Sequence, residues 1–170
     1  QALSPEFVQS AARVVVEKIK QREDFSSATT IAVYASFQNE VSTRLLIEFL
    51  LAENKTVLLP VIKNRRMEFY QYHENSLLKN CYGIDEPDPN CSSQVDLIAC
   101  DLIIVPGVAF DTRGGRIGRG GGFYDRALEK VAQCAQRPRL IGLAYDFQMI
   151  EDCYVEAHDV LLDEVIIASE

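Results

Sequence analysis

Residues 101–128 read D-L-I-I-V-P-G-V-A-F-D-T-R-G-G-R-I-G-R-G-G-G-F-Y-D-R-A-L, and their pattern decides the architecture. Leu102 to Val105 is a short apolar run with β-branched residues, as expected of a strand buried on both faces. Six of the nine glycines in the chain follow between Gly114 and Gly122. From Phe123 to about Ala135 the pattern becomes helical. A buried strand, a glycine loop and a helix in succession form the repeating unit of a parallel α/β sheet, whose ligands sit beyond the carboxyl ends of the strands.

The flanking segments continue the alternation. Upstream, Ser4, Pro5 and Glu6 signal a helix start, with Ser as N-cap, Pro in the first turn and an acid facing the dipole. Phe7, Ala11, Val14, Val15 and Ile19 then recur at helical spacing. Thr30 to Ala35 reads as a buried strand, Val41 to Glu53 as a helix, and Thr56 to Val61 and Glu68 to Tyr72 as strands. Past the glycine loop, Leu140 to Tyr145 and Val165 to Ile167 complete the strands. The expected fold is α/β: a single-domain, three-layer open sheet, mostly parallel, with helices on both faces.

Composition bounds the function. In 170 residues, 48% of them hydrophobic, one core suffices and buries roughly 70% of the unfolded surface. No apolar run approaches the ~18 residues of a membrane span, and the first residues lack the features of a secretory signal, so a soluble, cytoplasmic protein is expected. The chain opens on Gln1 and not on Met, so a preceding segment is expected as well. Five widely spaced cysteines without a C-x-x-C pair indicate neither a disulfide framework nor a zinc knuckle. A net charge of -8 argues against nucleic acid as a partner.

The glycine loop carries the chemistry. Glycine lets the backbone approach a ligand closely, while Arg113, Arg116 and Arg119 offer guanidinium forks that match phosphate oxygens. The helix start near Phe123 adds free amides and a favourable dipole. Neither the Walker pattern nor G-x-G-x-x-G is present, since Phe123 stands where a third glycine would follow Gly118 and Gly120. A flexible surface loop or an RGG-like RNA contact is the competing reading, and the acidic balance weighs against it.

The whole segment resembles the signature of the 5-formyltetrahydrofolate cyclo-ligase family. Further stretches resemble that family in order and spacing: I-A-V-Y-A-S-F-Q-N-E-V-S-T, L-L-P-V, G-I-D-E-P, L-A-Y-D-F-Q and H-D-V-L-L-D-E-V-I. The resemblance implies a ligase that uses ATP and Mg²⁺ to close 5-formyltetrahydrofolate to 5,10-methenyltetrahydrofolate through a phosphorylated formyl intermediate. No membrane and no obligate protein partner is implied.

The resemblance also assigns residues. It implies that Arg116, Ile117, Gly118, Arg119, Gly120, Gly121, Gly122, Phe123 and Tyr124 wrap the ATP phosphates, and that Arg119 to Phe123 also face the folate. Arg119 and Tyr124 become the catalytic candidates. Ala35 and Glu40 match substrate-contacting positions, Asp125 and Asp159 match magnesium-associated ones, and His158 is expected to orient its loop. Phe123 replaces the family's usual tyrosine, and the family's upstream lysine and arginine have no counterpart here. From the fold alone, a sugar-phosphate isomerase or acyl-CoA transferase relative, or a nucleotide- or RNA-binding module, remains an alternative.

Overall fold

A computed structural model describes residues 3–80, 84–156 and 159–169. Helix α1 (Pro5–Lys20) starts as expected, with Ser4 as N-cap accepting the Phe7 amide at 3.2 Å. It turns Ala11, Ala12, Val15, Val16 and Ile19 inward. Then come α2 (Glu23–Ser27), β1 (Thr30–Ala32), α3 (Arg44–Ala52), β2 (Thr56–Lys63), β3 (Arg66–Gln71), β4 (Leu77–Lys79) and β5 (Asp85–Pro87). The second half holds β6 (Leu102–Val105), β7 (Ala109–Phe110), β8 (Arg116–Ile117), α4 (Phe123–Ala132), β9 (Arg139–Ala144) and β10 (Glu164–Ile167).

Six of these strands form one sheet in the order β10-β9-β6-β1-β2-β3. Every pairing in it is parallel except that of β3, which returns antiparallel along β2 through a tight hairpin. Alternate residues of one strand feed opposite faces, because successive side chains on a strand point opposite ways. Leu102 and Ile104 join Ile31, Val57 and Leu143 beneath α1, α2 and α3, while Ile103 and Val105 join Ala32, Leu58 and Leu140 beneath Leu128 and Val131 of α4. The expected α/β sheet, mostly parallel and flanked by helices on both faces, is therefore what the chain forms. No helix among the described residues is long and apolar enough to cross a membrane.

Several boundaries differ from the sequence expectation, each for a local reason. Strand β1 ends at Ala32 instead of Ala35, because beyond the Val33 amide, which still reaches the Leu58 carbonyl at 2.9 Å, the backbone is claimed by its own loop. There the Tyr34 hydroxyl donates to the Val41 carbonyl and the Thr43 hydroxyl donates to the Tyr34 carbonyl, both at 2.7 Å. Helix α3 consequently starts at Arg44 and not at Val41. Helix α4 stops at Ala132 and not at Ala135, where the Cys134 amide closes a tighter turn onto Val131. At the β2–β3 turn Asn64 and Arg65 hold φ of 50° and 61°. Asparagine tolerates that conformation, whereas arginine pays roughly 1–2 kcal/mol that glycine would avoid.

Candidate active site

The chain builds outward from β1 in one direction, through β2 and β3, and from β6 in the other, through β9 and β10. The order reverses between β1 and β6, and such a switch point leaves a crevice at the carboxyl ends of the two strands. A cleft of about 170 Å³ lies there, lined by Glu40 from the loop after β1, Pro106 and Gly107 after β6, and Met67 of β3. Its remaining wall is Arg116, Gly118, Arg119, Gly121, Gly122, Phe123, Tyr124 and Asp125.

The glycine loop is held open by one buried carboxylate. Asp111, fully buried, accepts the amides of Arg113 and Gly115 at 2.9 Å and that of Cys153 at 3.0 Å. Burial alone would raise its pKa, but the Cys153, Gly115 and Arg113 amides outweigh it and hold the carboxyl at about 2. Gly114, with φ of 86°, packs so closely that a Cβ there would lie 2.1 Å from the Leu162 carbonyl oxygen. These contacts bind the β7–β8 hairpin to the distant 153–162 region, so the loop leaves the hairpin in a fixed direction.

Gly122, at φ 61°, caps α4 without any side-chain hydrogen bond, which leaves first-turn amides of the helix without a side-chain partner. Arg116, whose side chain is only 6% exposed, donates to the Asp125 carboxylate and to the Pro106 carbonyl, and its Nε is buried without a partner. The Tyr124 hydroxyl is likewise buried and unpartnered, with its ring edge-on to Phe69 at 6.4 Å. Burial first, and then the charge of Glu40, pushes the Tyr124 phenol far above its ordinary value, so it stays a neutral hydroxyl that can donate a hydrogen bond.

Arg119 spans the cleft. Its guanidinium donates to Glu40 at 3.0 Å, to the Gln38 side chain at 2.8 Å and to the Phe37 carbonyl at 3.0 Å, and it lies over the Phe37 ring at 5.4 Å. The Glu40 carboxylate also accepts the Phe37 amide at 2.8 Å, and its carbonyl accepts the Tyr145 hydroxyl at 3.3 Å. Glu40 therefore stands on a pinned loop four residues ahead of α3, not at the helix start where a dipole would explain it.

The structure thus gathers Glu40, Arg116, Gly118, Arg119, Gly121, Gly122, Phe123, Tyr124 and Asp125 into one cleft. Glu40, after β1, and the glycine loop, after β6, come from different strand ends, and they meet because β1 and β6 are sheet neighbours. Ile117 pairs with Ala109 in the hairpin and is exposed, while Gly120 and Ala35 are outside the cleft lining. Asp159 sits in a separate turn, taking the Glu156 amide at 2.8 Å, and does not line the cleft. His158 lies outside the described residues. Sequence reading missed Asp111, Gln38, Met67 and Gln148, whose amide group donates to the Gly107 and Val108 carbonyls at 3.1 and 3.2 Å. Of these only the F-D pair beside the glycines gave a signal. Among the described residues no three His, Cys, Asp or Glu side chains gather to cage a metal.

A family model described as the 5-formyltetrahydrofolate cyclo-ligase family matches residues 1–168. A Haemophilus influenzae protein named 5-formyltetrahydrofolate cyclo-ligase is 37% identical over 163 residues, covering 94% of this chain and 84% of its own. The Escherichia coli K12 protein of the same name is 36% identical over 99% of this chain and 94% of its own. The solved Aquifex aeolicus 5,10-methenyltetrahydrofolate synthetase superposes with a TM-score of 0.85 at 30% identity, over 99% of this chain and 83% of that one. The signature stretches, the switch-point cleft and these likenesses agree, and the chain belongs to the 5-formyltetrahydrofolate cyclo-ligase family.

Proposed function

We propose that the chain is a 5-formyltetrahydrofolate cyclo-ligase that consumes ATP and 5-formyltetrahydrofolate and releases 5,10-methenyltetrahydrofolate, ADP and phosphate. The observation that carries this reading is the meeting, in one cleft, of an anion-seeking half and an acidic half. The uncapped start of α4, the glycine backbone, Arg116 and Arg119 suit phosphates, and Glu40 suits the N–H donors of a pterin.

A formyl group on nitrogen is amide-like, and its oxygen leaves poorly. In the proposed route that oxygen attacks the γ-phosphorus, the bond to ADP breaks, and an iminium phosphate forms. The nitrogen at position 10 then bonds to the formyl carbon and loses its proton, while the carbon–oxygen bond breaks and phosphate departs. The protein contributes positioning and charge stabilisation. Arg119 holds the transferring phosphoryl oxygens, the Tyr124 hydroxyl donates a hydrogen bond at the cleft floor, and Arg116 fixes Asp125.

The 170 Å³ cleft is below the ~300 Å³ at which small-molecule sites begin. Ligands enter by exchanging the Arg119–Glu40 pair for Arg119–phosphate and Glu40–pterin pairs, so each ligand releases the other's partner. Mg²⁺ would be carried in by the nucleotide, with Asp125 offering one half-exposed carboxylate at the cleft and no protein cage needed, whereas Asp159, in its separate turn, does not line the cleft. When bound, that metal neutralises phosphate charge. The free Cys91, Cys100, Cys134 and Cys153 support a reducing cytoplasm as the compartment.

The test is absorbance of the methenyl product with and without ATP. Product in its presence alone is expected, and equal formation in its absence would refute the phosphorylation route.

A further inference from the structure

Apart from tyrosine and cysteine, the buried polar residues among those described are Thr43, Asp111 and Gln148. A buried polar group needs a partner, and each of these secures a segment at the carboxyl edge of the sheet. The Thr43 hydroxyl holds the loop after β1 at Tyr34, and Asp111 holds the glycine loop. Gln148, in the turn after β9, has no part in the route proposed above.

Both ends of its amide are bonded. Oε1 accepts the Tyr145 amide at 2.9 Å, and Nε2 donates to the Gly107 and Val108 carbonyls at 3.1 and 3.2 Å. The orientation is fixed, because the reversed amide would set donor against donor and acceptor against acceptor. Each end leads to one half of the cleft. Tyr145 carries its hydroxyl to the Glu40 carbonyl at 3.3 Å. Pro106 and Gly107 line the cleft, and the Pro106 carbonyl accepts Arg116, which also binds Asp125. Gly107 has no room to move independently: a Cβ there would lie 2.6 Å from the Phe110 ring and 3.0 Å from the Arg116 side chain. Gln148 itself lies outside the cleft lining.

We propose that Gln148 is a positioning residue for the reaction: one buried amide sets the spacing between the Glu40 half and the Arg116–Asp125 half of the cleft. This deepens the two-substrate reading above and rests on it. Glu40, Arg116 and Arg119 all survive the loss of Gln148, so each ligand keeps its own contacts. What changes is the placement of the formyl oxygen against the γ-phosphorus, and a misplacement of about 1 Å costs on the order of 10²-fold in rate. The effect therefore falls on kcat.

Steady-state turnover with ATP and 5-formyltetrahydrofolate tests this in two variants that keep the length of the side chain. Gln148→Glu keeps an acceptor for the Tyr145 amide but presents oxygen to the Gly107 and Val108 carbonyls, and Gln148→Met removes both functions. In each, kcat should fall by roughly 10- to 100-fold, while both KM values stay within about threefold of native. Thermal unfolding shows that each variant is folded. Ile19→Val, in the core of α1 and outside the cleft lining, controls for lost stability, and it should lower Tm and keep native kcat. A kcat within about twofold of native in either folded variant, or a loss confined to KM, overturns the inference. Should Gln148→Glu not fold, Gln148→Met decides alone. Failure of the native protein to form methenyl product is a different outcome, the failure of the folate reading, and the inference falls with it.

Discussion

Asp111→Asn removes one charge and almost no volume at the anchor of the glycine loop. In the native chain one carboxylate oxygen accepts the Arg113 and Gly115 amides, both at 2.9 Å, and the other accepts Cys153 at 3.0 Å. Asparagine can keep the first pair through its carbonyl, but its NH₂ then faces the Cys153 amide, donor against donor. A hydrogen bond to a charged group is worth ~1.5–3 kcal/mol, which in a domain of this size corresponds to a fall in Tm of about 3–12 °C. The pH dependence adds a second signature. The folded carboxyl titrates at about 2, against ~3.9 for an unfolded aspartate. A depressed folded value means that the stabilisation is complete above the unfolded value and is lost as pH falls from about 4 to about 2. The variant lacks this group, so its Tm should fall less steeply over that window than that of the native chain. Thermal unfolding of both proteins from neutral to acid pH measures both effects. A variant with native Tm at pH 7 and native acid slope would refute the anchoring role of Asp111.

Gly114→Ala should cost more than ~3 kcal/mol or prevent folding, since its Cβ would sit 2.1 Å from the Leu162 carbonyl oxygen and φ is positive; denaturant unfolding within ~1 kcal/mol of native would contradict the packing described. Glu40→Gln should raise the folate KM roughly tenfold or more, and, because it also frees Arg119, the ATP KM should shift too; calorimetry showing intact folate binding would refute the pterin-binding role. Asp125→Asn should lose activity and require more Mg²⁺ while the fold persists, and full turnover with unchanged metal dependence would remove Asp125 from the metal.

What the sequence disclosed was what local pattern can encode. Leu102–Val105 reads as a buried strand because all its side chains are apolar, and Ser4 and Pro5 announce α1 because capping acts within a few residues. The short elements α2, β4, β5, β7 and β8 carry too few residues for a period to emerge, and tertiary contacts hold them. Asp111 was passed over for a similar reason: the Cys153 amide it accepts is 42 residues away. The Arg119–Glu40 pair joins residues 79 apart, and no spacing rule reaches that far. Their meeting depends on where β6 docks. Had β6 extended the sheet beyond β3, the loop after β1 would face solvent, and the glycine loop would be a phosphate cradle with no acidic partner. Placing β6 against the free edge of β1 instead puts two loops of opposite charge on one crevice. The sequence therefore named the residues of both loops, and the strand order brings them into one cleft, the arrangement on which the proposed meeting of a nucleotide and an N–H-rich ring rests.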